Sequence, residues 1–277
     1  MKKLSLLLVA FFIITLSSCH KAGVYEPKEK ISKIYTGISD EKYLSEAWNW
    51  NNKQLRSIDY YGVLGGITNT EEFFYNSNGQ LVTVKSKVYK DYTEYTYKGR
   101  KLDRARSYRD GVNTTTFIFE YDDNELSDIT LVYNDAEELK SLSSEQLLSP
   151  IKYILPNVSL ASIDKLLENV TPVRGSVVIE LDLEWRNRNV VEIEFEYNDK
   201  YAGKVLFKHD DMKNPFRNFF GLDFEDNFAN FANKNNVVEI TYVSTLISGT
   251  ENIYYTYDGK YPVTKEVNGL KYHYEYE

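Results

Sequence analysis

Two neighbouring segments of this chain carry a carboxylate at every second residue. We call these six residues the acidic ladder: Glu180, Asp182, Glu184, Glu192, Glu194 and Glu196. The residues between them are apolar or aromatic. Because successive side chains of a strand point to opposite faces, the pattern predicts two strands, each with one acidic and one apolar face.

A three-residue loop at 187–189 would place Glu184 opposite Glu192 and Asp182 opposite Glu194. Directly opposed like charges destabilise a sheet, so something must neutralise them. Calcium is one candidate, because this hard cation takes carboxylate oxygens, and these four residues would hold it. A glycosidase pair is another, because retaining enzymes hold two carboxyls about 5 Å apart, but opposed strand residues meet that spacing automatically.

A structural explanation needs no ligand. If the next hairpin turns around Lys200, Glu196 faces Lys204 and Glu192 faces Lys208, and the two ammonium groups offset the repulsion. We favour this solvated structural face over calcium, and calcium over catalysis.

Phenylalanines cluster near residues 215–232. They are Phe216, Phe219, Phe220, Phe224, Phe228 and Phe231. Asn214 could cap a helix that starts at Pro215. The first four phenylalanines could line a site for an apolar ligand, or the cluster could form an aromatic plug that closes a barrel-like sheet. We favour the plug.

Four tyrosines on adjacent predicted strands suggest a glycan site, because aromatic faces stack on sugars. They are Tyr92, Tyr95, Tyr97 and Tyr108. Cross-strand packing is the simpler explanation of tyrosines at recurring positions. The sequence holds no phosphate loop, nucleophile elbow or zinc-protease motif. We therefore predict no catalytic residues and no cofactor, and we favour a non-enzymatic protein.

A short pattern recurs along the chain: alternating aromatics that end in tyrosine, then a polar turn, then leucine. Its clearest copies run over 73–81, 95–102 and 119–126. The spacing of 22 and 24 residues between Tyr75, Tyr97 and Tyr121 holds two strands and two turns. Each repeat therefore predicts a hairpin, and Asp110-Gly111 marks an intervening turn. The fold predicted is mainly β, an antiparallel meander that curls into an open or closed barrel-like sheet, with two short helices inserted near 136–168.

This pattern resembles that of Bacteroides-type envelope lipoproteins that carry a domain of unknown function described as porin-like. More distantly, it resembles YD-repeat proteins. The stretch His209-Asp210-Asp211-Met212-Lys213-Asn214-Pro215-Phe216 is similar to an Asp-x-x-x-Asn-Pro segment of the lipoprotein family. The resemblance covers most of residues 31–277. It implies a curved antiparallel sheet or barrel and carries over no catalytic residue.

The N-terminus has the order of a secretory signal: Met1-Lys2-Lys3, an apolar run from Leu4 to Leu16, then small residues. Leu16-Ser17-Ser18-Cys19 resembles the bacterial lipobox, in which the cysteine is acylated and the chain is cut before it. The predicted divisions are a signal peptide (1–18), a lipidated tether (19–30) and a single β-rich domain (31–277). His20 replaces the aspartate that would favour the inner membrane, so we expect the outer membrane, on either leaflet.

The overall charge limits the partners. Loss of Lys2 and Lys3 with the signal takes the formal net charge from −8 to −10, which argues against nucleic acid as a partner. The sequence therefore predicts a lipid-anchored envelope protein that binds a small apolar ligand, a glycan or a protein partner. A glycan-acting hydrolase that uses the acidic ladder, and a membrane-spanning barrel, are the alternatives.

Overall fold

The computed structural model describes residues 22–38, 41–133, 177–197, 200–220, 232–243 and 248–277. The signal segment, Cys19, the predicted helices near 136–168 and Phe224 lie outside these residues. The described chain forms seventeen strands: β1 (Ile31–Ile38), β2 (Tyr43–Asn51), β3 (Gln54–Tyr61), β4 (Ile67–Tyr75), β5 (Leu81–Ser86), β6 (Tyr92–Lys98), β7 (Lys101–Arg109), β8 (Val112–Asp122), β9 (Glu125–Tyr133), β10 (Val177–Arg186), β11 (Asn189–Tyr197), β12 (Lys200–His209), β13 (Val237–Val243), β14 (Ser248–Asn252), β15 (Tyr254–Asp258), β16 (Tyr261–Val267) and β17 (Leu270–Tyr276).

These strands form one nearly closed, barrel-like antiparallel sheet, which confirms the predicted meander. Consecutive strands pair from β2 to β14 and from β15 to β17, and β1 pairs with both β2 and β17. Only Ile253 separates β14 from β15, and its N–H donates to the Val238 carbonyl at 2.9 Å. β14 pairs with β13 and β15 pairs with β16, so this nearly continuous segment joins the two ends of the meander.

The sequence repeat has a structural cause. In each copy the last aromatic pairs with the leucine after the turn, next to a β-bulge: Tyr75 with Leu81, Tyr97 with Leu102 and Tyr121 with Leu126. Aromatic side chains at this position also donate to the backbone carbonyl after an earlier turn: Tyr75 Oη to Leu55 (2.8 Å), Tyr97 Oη to Leu81 (2.6 Å) and Trp185 Nε1 to Leu126 (2.5 Å). The repeat therefore encodes a contact between hairpins as well as the hairpin itself.

Because the strands are consecutive and antiparallel, the connections fall alternately at two ends of the sheet. One end, which we call the plugged end, carries the turns at 52–53, 76–80, 99–100, 123–124, 187–188 and 259–260, the β12–β13 connection and residues 22–30. The other, the opposite end, carries the connections at 62–66, 87–91, 110–111 and 268–269. At Asp110 and Gly111 both φ angles are positive, as the predicted two-residue hairpin turn requires.

The apolar face of the sheet points inward and the polar face points outward. Buried residues come from strands all around the sheet: Ile34, Trp48, Ile58, Phe73, Val84, Tyr95, Phe117, Leu131, Leu181, Ile193, Phe207, Ile240 and Tyr274. Within the described residues, no helix is long and apolar enough to span a membrane.

Residues 22–30, which belong to the predicted tether, pack on the sheet. The Ala22 N–H donates to the Arg100 carbonyl at 3.1 Å, and the Gly23 carbonyl accepts the Leu81 N–H at 2.9 Å. Tyr25 is only 6% exposed and belongs to the core. One buried aromatic and a few backbone hydrogen bonds are enough to hold a short segment whose composition is otherwise polar.

Candidate functional site

Aromatic side chains of the β12–β13 connection fill the plugged end. The Phe219 ring centroid lies 4.9 Å from that of Trp48, 5.2 Å from Tyr25 and 5.9 Å from Phe73. Phe220 lies 5.6 Å from Tyr95, and both Phe219 and Phe220 are buried. These rings therefore complete the hydrophobic core.

Phe216 joins the same cluster, 6.1 Å from Trp48 and 5.8 Å from Tyr274. The structure thus brings together three of the four phenylalanines considered for an apolar ligand. Because these rings pack against core aromatics in tilted and edge-on contacts, the arrangement favours the plug over a ligand lining.

Asparagines anchor the plug to the β10–β11 hairpin. Asn189 Nδ2 donates to Asn235 Oδ1 at 3.1 Å, and the Asn235 N–H donates back to Asn189 Oδ1 at 2.9 Å. The Val190 N–H donates to Asn233 Oδ1 at 2.6 Å. All three asparagines are buried, so these bonds satisfy groups whose burial would otherwise be costly.

The Asp-x-x-x-Asn-Pro segment supplies the other half of this anchor. Asp210 accepts hydrogen bonds from the backbone and side chain of Asn236 at 3.1 and 3.0 Å, and a further one from the Tyr257 hydroxyl. Asn214 Oδ1 accepts the Phe216 N–H at 2.9 Å. The predicted capping contact at Asn214 therefore exists, but it closes a turn rather than starting a helix over residues 215–218.

A recess of about 650 Å³ lies beside the plug. Four cations line it, Lys213, Arg217, Lys234 and Lys260, and we call it the basic recess. Two carboxylates, Glu26 and Asp211, and four amides share its wall: Asn78, Asn214, Asn218 and Asn235. Sequence reasoning missed this site, because its cations come from separate segments with no common motif.

Arg217 is one of the two partly buried cations of this recess. Burial lowers its pKa, and the neighbouring Arg188 lowers it further. Its Nε atom is buried and has no hydrogen-bond partner among the residues that the structure describes. Arg217 also lines a second, larger recess of about 1,210 Å³, together with Ala22, Arg100 and Arg188.

The acidic ladder has the predicted register on β10 and β11. Glu180 pairs with Glu196, Asp182 with Glu194 and Glu184 with Glu192. The loop differs from the three-residue prediction, because Asn187 and Arg188 form a two-residue turn with positive φ at both positions. A bulge next to Glu184 restores the register.

The predicted lysine partners were wrong in detail. β12 pairs with β11 from Lys200 opposite Tyr197, and a bulge follows, so Lys204 lies opposite Glu194 instead of Glu196. Its Nζ is 2.9 Å from Glu192 and 3.9 Å from Glu194. Lys208 pairs with Glu239 on β13, at 2.8 Å.

A seventh carboxylate extends the ladder. Asp128 on β9 pairs with Asp182, and their hydrogen bond raises the pKa of Asp182 to about 6. Both lie on the outer face of the sheet. Among the described residues, no group of three or more His, Cys, Asp or Glu side chains is arranged to hold a metal ion, and that includes Asp182, Glu184, Glu192 and Glu194.

Charged residues also point into the barrel towards the opposite end. Glu46 shares the inward face of β2 with Trp48, whose indole N–H donates to it at 2.8 Å, and burial raises the Glu46 pKa to about 6. Glu251 is buried and accepts the Asn268 side-chain amide at 2.5 Å. Burial lowers the pKa of Lys265, and nearby Glu251 partly offsets that effect. In the sequence, only the two-residue spacing between Glu46 and Trp48 indicates that Glu46 shares the inward face of the strand.

The tyrosines considered for a glycan site divide between the two faces. Tyr92 and Tyr108 stack on each other outside the sheet, with centroids 4.5 Å apart and planes 7° apart. Tyr95 is buried in the core, and Tyr97 makes the inter-hairpin bond described above. The four rings therefore do not form one surface.

Comparison with solved structures gives the same architecture. A porin-like protein from Bacteroides uniformis ATCC 8492 aligns with a TM-score of 0.54 at 12% identity, over 93% of this chain and 100% of that one. A porin-like protein from Bacteroides vulgatus ATCC 8482 aligns with a TM-score of 0.54 at 12% identity, over 90% and 99%. No protein-family model and no curated sequence matches. The chain therefore has a porin-like fold.

Proposed function

We propose that this protein is a lipid-anchored, non-enzymatic binding module of the bacterial envelope, held on the outer membrane through Cys19. The observation that carries the proposal is the orientation of its sheet. The inward face is mostly apolar and is filled by the aromatic plug, with a few charged residues such as Glu46 and Glu251 towards the opposite end. Charged side chains point outward on widely separated strands: Asp59, Arg106, Asp182, Glu194, Glu239, Glu266 and Glu275.

A barrel that spans a membrane has the reverse pattern, with an apolar outer band against lipid. Charge on the lipid-facing side costs about 2–4 kcal/mol per Lys or Arg at the midplane. The outward charges therefore favour a domain that stands in water beside the membrane over a spanning barrel. The Bacteroides porin-like neighbours support an envelope location.

Binding rather than hydrolysis fits the described side chains better. The acidic ladder lies on the outer face of the sheet, where Lys204 pairs with Glu192 and Glu194. Of its six carboxylates only Glu184 lines a recess described above, the larger one, so no opposed carboxylate pair faces a recess. The recesses at the plugged end combine charged, amide and aromatic side chains, as binding sites do. A ligand or a partner protein would therefore bind there.

The anchor can be tested directly. Mass spectrometry of the N-terminal peptide, from protein purified out of bacterial membranes, should find an acylated Cys19 as its first residue. Cys19→Ala should abolish the acylation. Residues 20–277 should stay in solution without detergent. An unmodified cysteine, or a domain that needs detergent, would contradict the proposal.

A further inference from the structure

We infer that the plugged end docks on an anionic lipid surface, with lipid phosphates in the basic recess. This inference rests on the proposed function, because it names the partner of a site in the anchored module. The mature chain carries a formal net charge of −10, yet the lining of the basic recess holds four cations and only two carboxylates.

Backbone hydrogen bonds hold these cations together. The Lys213 N–H donates to the Lys260 carbonyl at 2.9 Å, and the Lys234 N–H donates to the Arg188 carbonyl at 3.2 Å. The Asn214 N–H donates to the Lys234 carbonyl at 3.2 Å. These hydrogen bonds connect the loops that carry the cations, so the backbone positions of the cations are fixed relative to one another.

Within the described part of the chain, neither the four cations of the basic recess nor the adjacent Arg188 has an acidic partner. Among the residues that the structure describes, no carboxylate lies within ion-pair distance of Lys213, Lys234, Lys260, Arg188 or Arg217. Elsewhere in the protein, lysines do pair, as Lys204 and Lys208 do. Phosphate is a strong hydrogen-bond acceptor for both lysine and arginine, so the phosphates of anionic headgroups would provide the acidic partners of these cations.

The position of the lipid anchor favours a membrane surface over a soluble anion as the partner of the basic recess. Ala22 is bound to Arg100 at the plugged end. Cys19 precedes Ala22 by three residues, which reach at most about 11 Å. Acyl chains on Cys19 would therefore bring the plugged end within about a Debye length of the headgroups, where each basic residue strengthens binding about fivefold.

The test uses the lipidated full-length protein in two kinds of vesicle, one of phosphatidylcholine and one with a third of that lipid replaced by phosphatidylglycerol. A water-soluble amine reagent reports accessibility, residue by residue, through mass spectrometry. We expect Lys213, Lys234 and Lys260 to react several-fold more slowly on the anionic vesicles. Lys87 and Lys90, in a turn at the opposite end, serve as internal controls and should react equally on both.

A pair of variants separates the basic recess from general charge. Arg188→Gln with Arg217→Gln should restore most of the lysine reactivity on anionic vesicles. Arg106→Gln with Arg109→Gln, on the half of β7 away from the plugged end, removes the same charge and should leave the protection intact. Far-UV circular dichroism checks that both variants fold.

The outcomes distinguish docking from anchoring. Protein that floats with neutral vesicles, but whose three lysines react equally on both kinds, is anchored and does not dock, which overturns this inference. If the protein does not float with neutral vesicles, the proposed lipid anchor is wrong. Flotation with anionic vesicles only would still support docking through the basic recess. Protection by free inorganic pyrophosphate without protection on anionic vesicles would assign the recess to a soluble anion and also overturn the inference.

Discussion

The hydroxyl groups of the repeated tyrosines stabilise the contact between hairpins. Tyr97 donates to the Leu81 carbonyl across 2.6 Å, inside the sheet. Burial raises the pKa of Tyr97, so the group stays protonated and remains a donor at all ordinary pH values. Each such bond satisfies a buried backbone acceptor, which would be expensive to leave unpaired.

Tyr97→Phe should therefore lower the free energy of unfolding by about 1–3 kcal/mol, measured by urea denaturation. Tyr92→Phe is the matched control, because the Tyr92 ring stacks on Tyr108 at the outer face. That substitution should cost less than about 0.5 kcal/mol. Equal losses for the two variants would show that the buried hydroxyl has no special role.

Glu46 makes the stability depend on pH. Its folded pKa of about 6 lies above its ordinary value of 4.5, so the folded state binds more protons between these values. Stability should therefore fall as pH rises from about 4.5 through 6, because the unfolded state ionises first.

Glu46→Gln should remove this loss of stability at higher pH, because glutamine carries no charge and its amide oxygen can still accept the Trp48 indole N–H. At pH 7.5 we expect the variant to be more stable than the parent by up to about 2 kcal/mol, and at pH 4 to be nearly equal to it. Urea denaturation at both pH values measures the difference. A Glu46→Gln variant that is less stable than the parent at pH 7.5 would contradict the argument.

At the scale of elements, the N-terminal segment and the plug lock each other in place. Tyr25 donates to the Pro215 carbonyl at 2.8 Å and packs on Phe219. Gly23 has a φ of +75°, and a Cβ there would lie 2.0 Å from the Tyr97 hydroxyl. Only glycine suits this position, because the backbone is left-handed and Tyr97 approaches it closely.

Gly23→Ala should destabilise the protein by about 2–4 kcal/mol, through backbone strain and overpacking together. Gly111→Ala isolates the first effect, because Gly111 has a φ of +81° and a Cβ there would meet nothing within 4 Å. That control should cost about 1–2 kcal/mol. Thermal unfolding of the two variants measures the difference in stability. Equal losses of stability would mean that Tyr97 lies farther from Gly23 than in the structure.

At the scale of the whole molecule, the plug and the sheet share one hydrophobic core. Trp48 of β2 contacts both Tyr25 and Phe219, so the three elements bury the same apolar surface. We therefore expect the protein to unfold in a single cooperative transition. Tryptophan fluorescence, which reports on the plugged end through Trp48, Trp50 and Trp185, should change at the same urea concentration as far-UV circular dichroism. Two separated midpoints would mean that the plug detaches before the sheet unfolds.

The sequence alone was enough to predict a mainly β antiparallel meander and the register of the acidic ladder. Alternation over a few residues predicts which face each carboxylate lies on. The opposed pair Glu184 and Glu192 was predicted correctly although the loop was not, because the bulge next to Glu184 offsets the shorter turn. The lysine partners were misplaced, because a single bulge next to Phe195 shifts the pairing and alternation does not reveal it.

Only the tertiary structure decided what lies inside the sheet and at its ends. Near-closure joins β1 to β17 across more than 230 residues of chain, and it turned Glu46 and Lys265 towards the interior. It also gathered Lys213, Lys234 and Lys260 at one end, from segments that share no motif. Contacts between residues so distant in the chain follow from how the whole sheet curls, whereas the spacing of neighbouring residues determines only which strands form and which face of each is apolar.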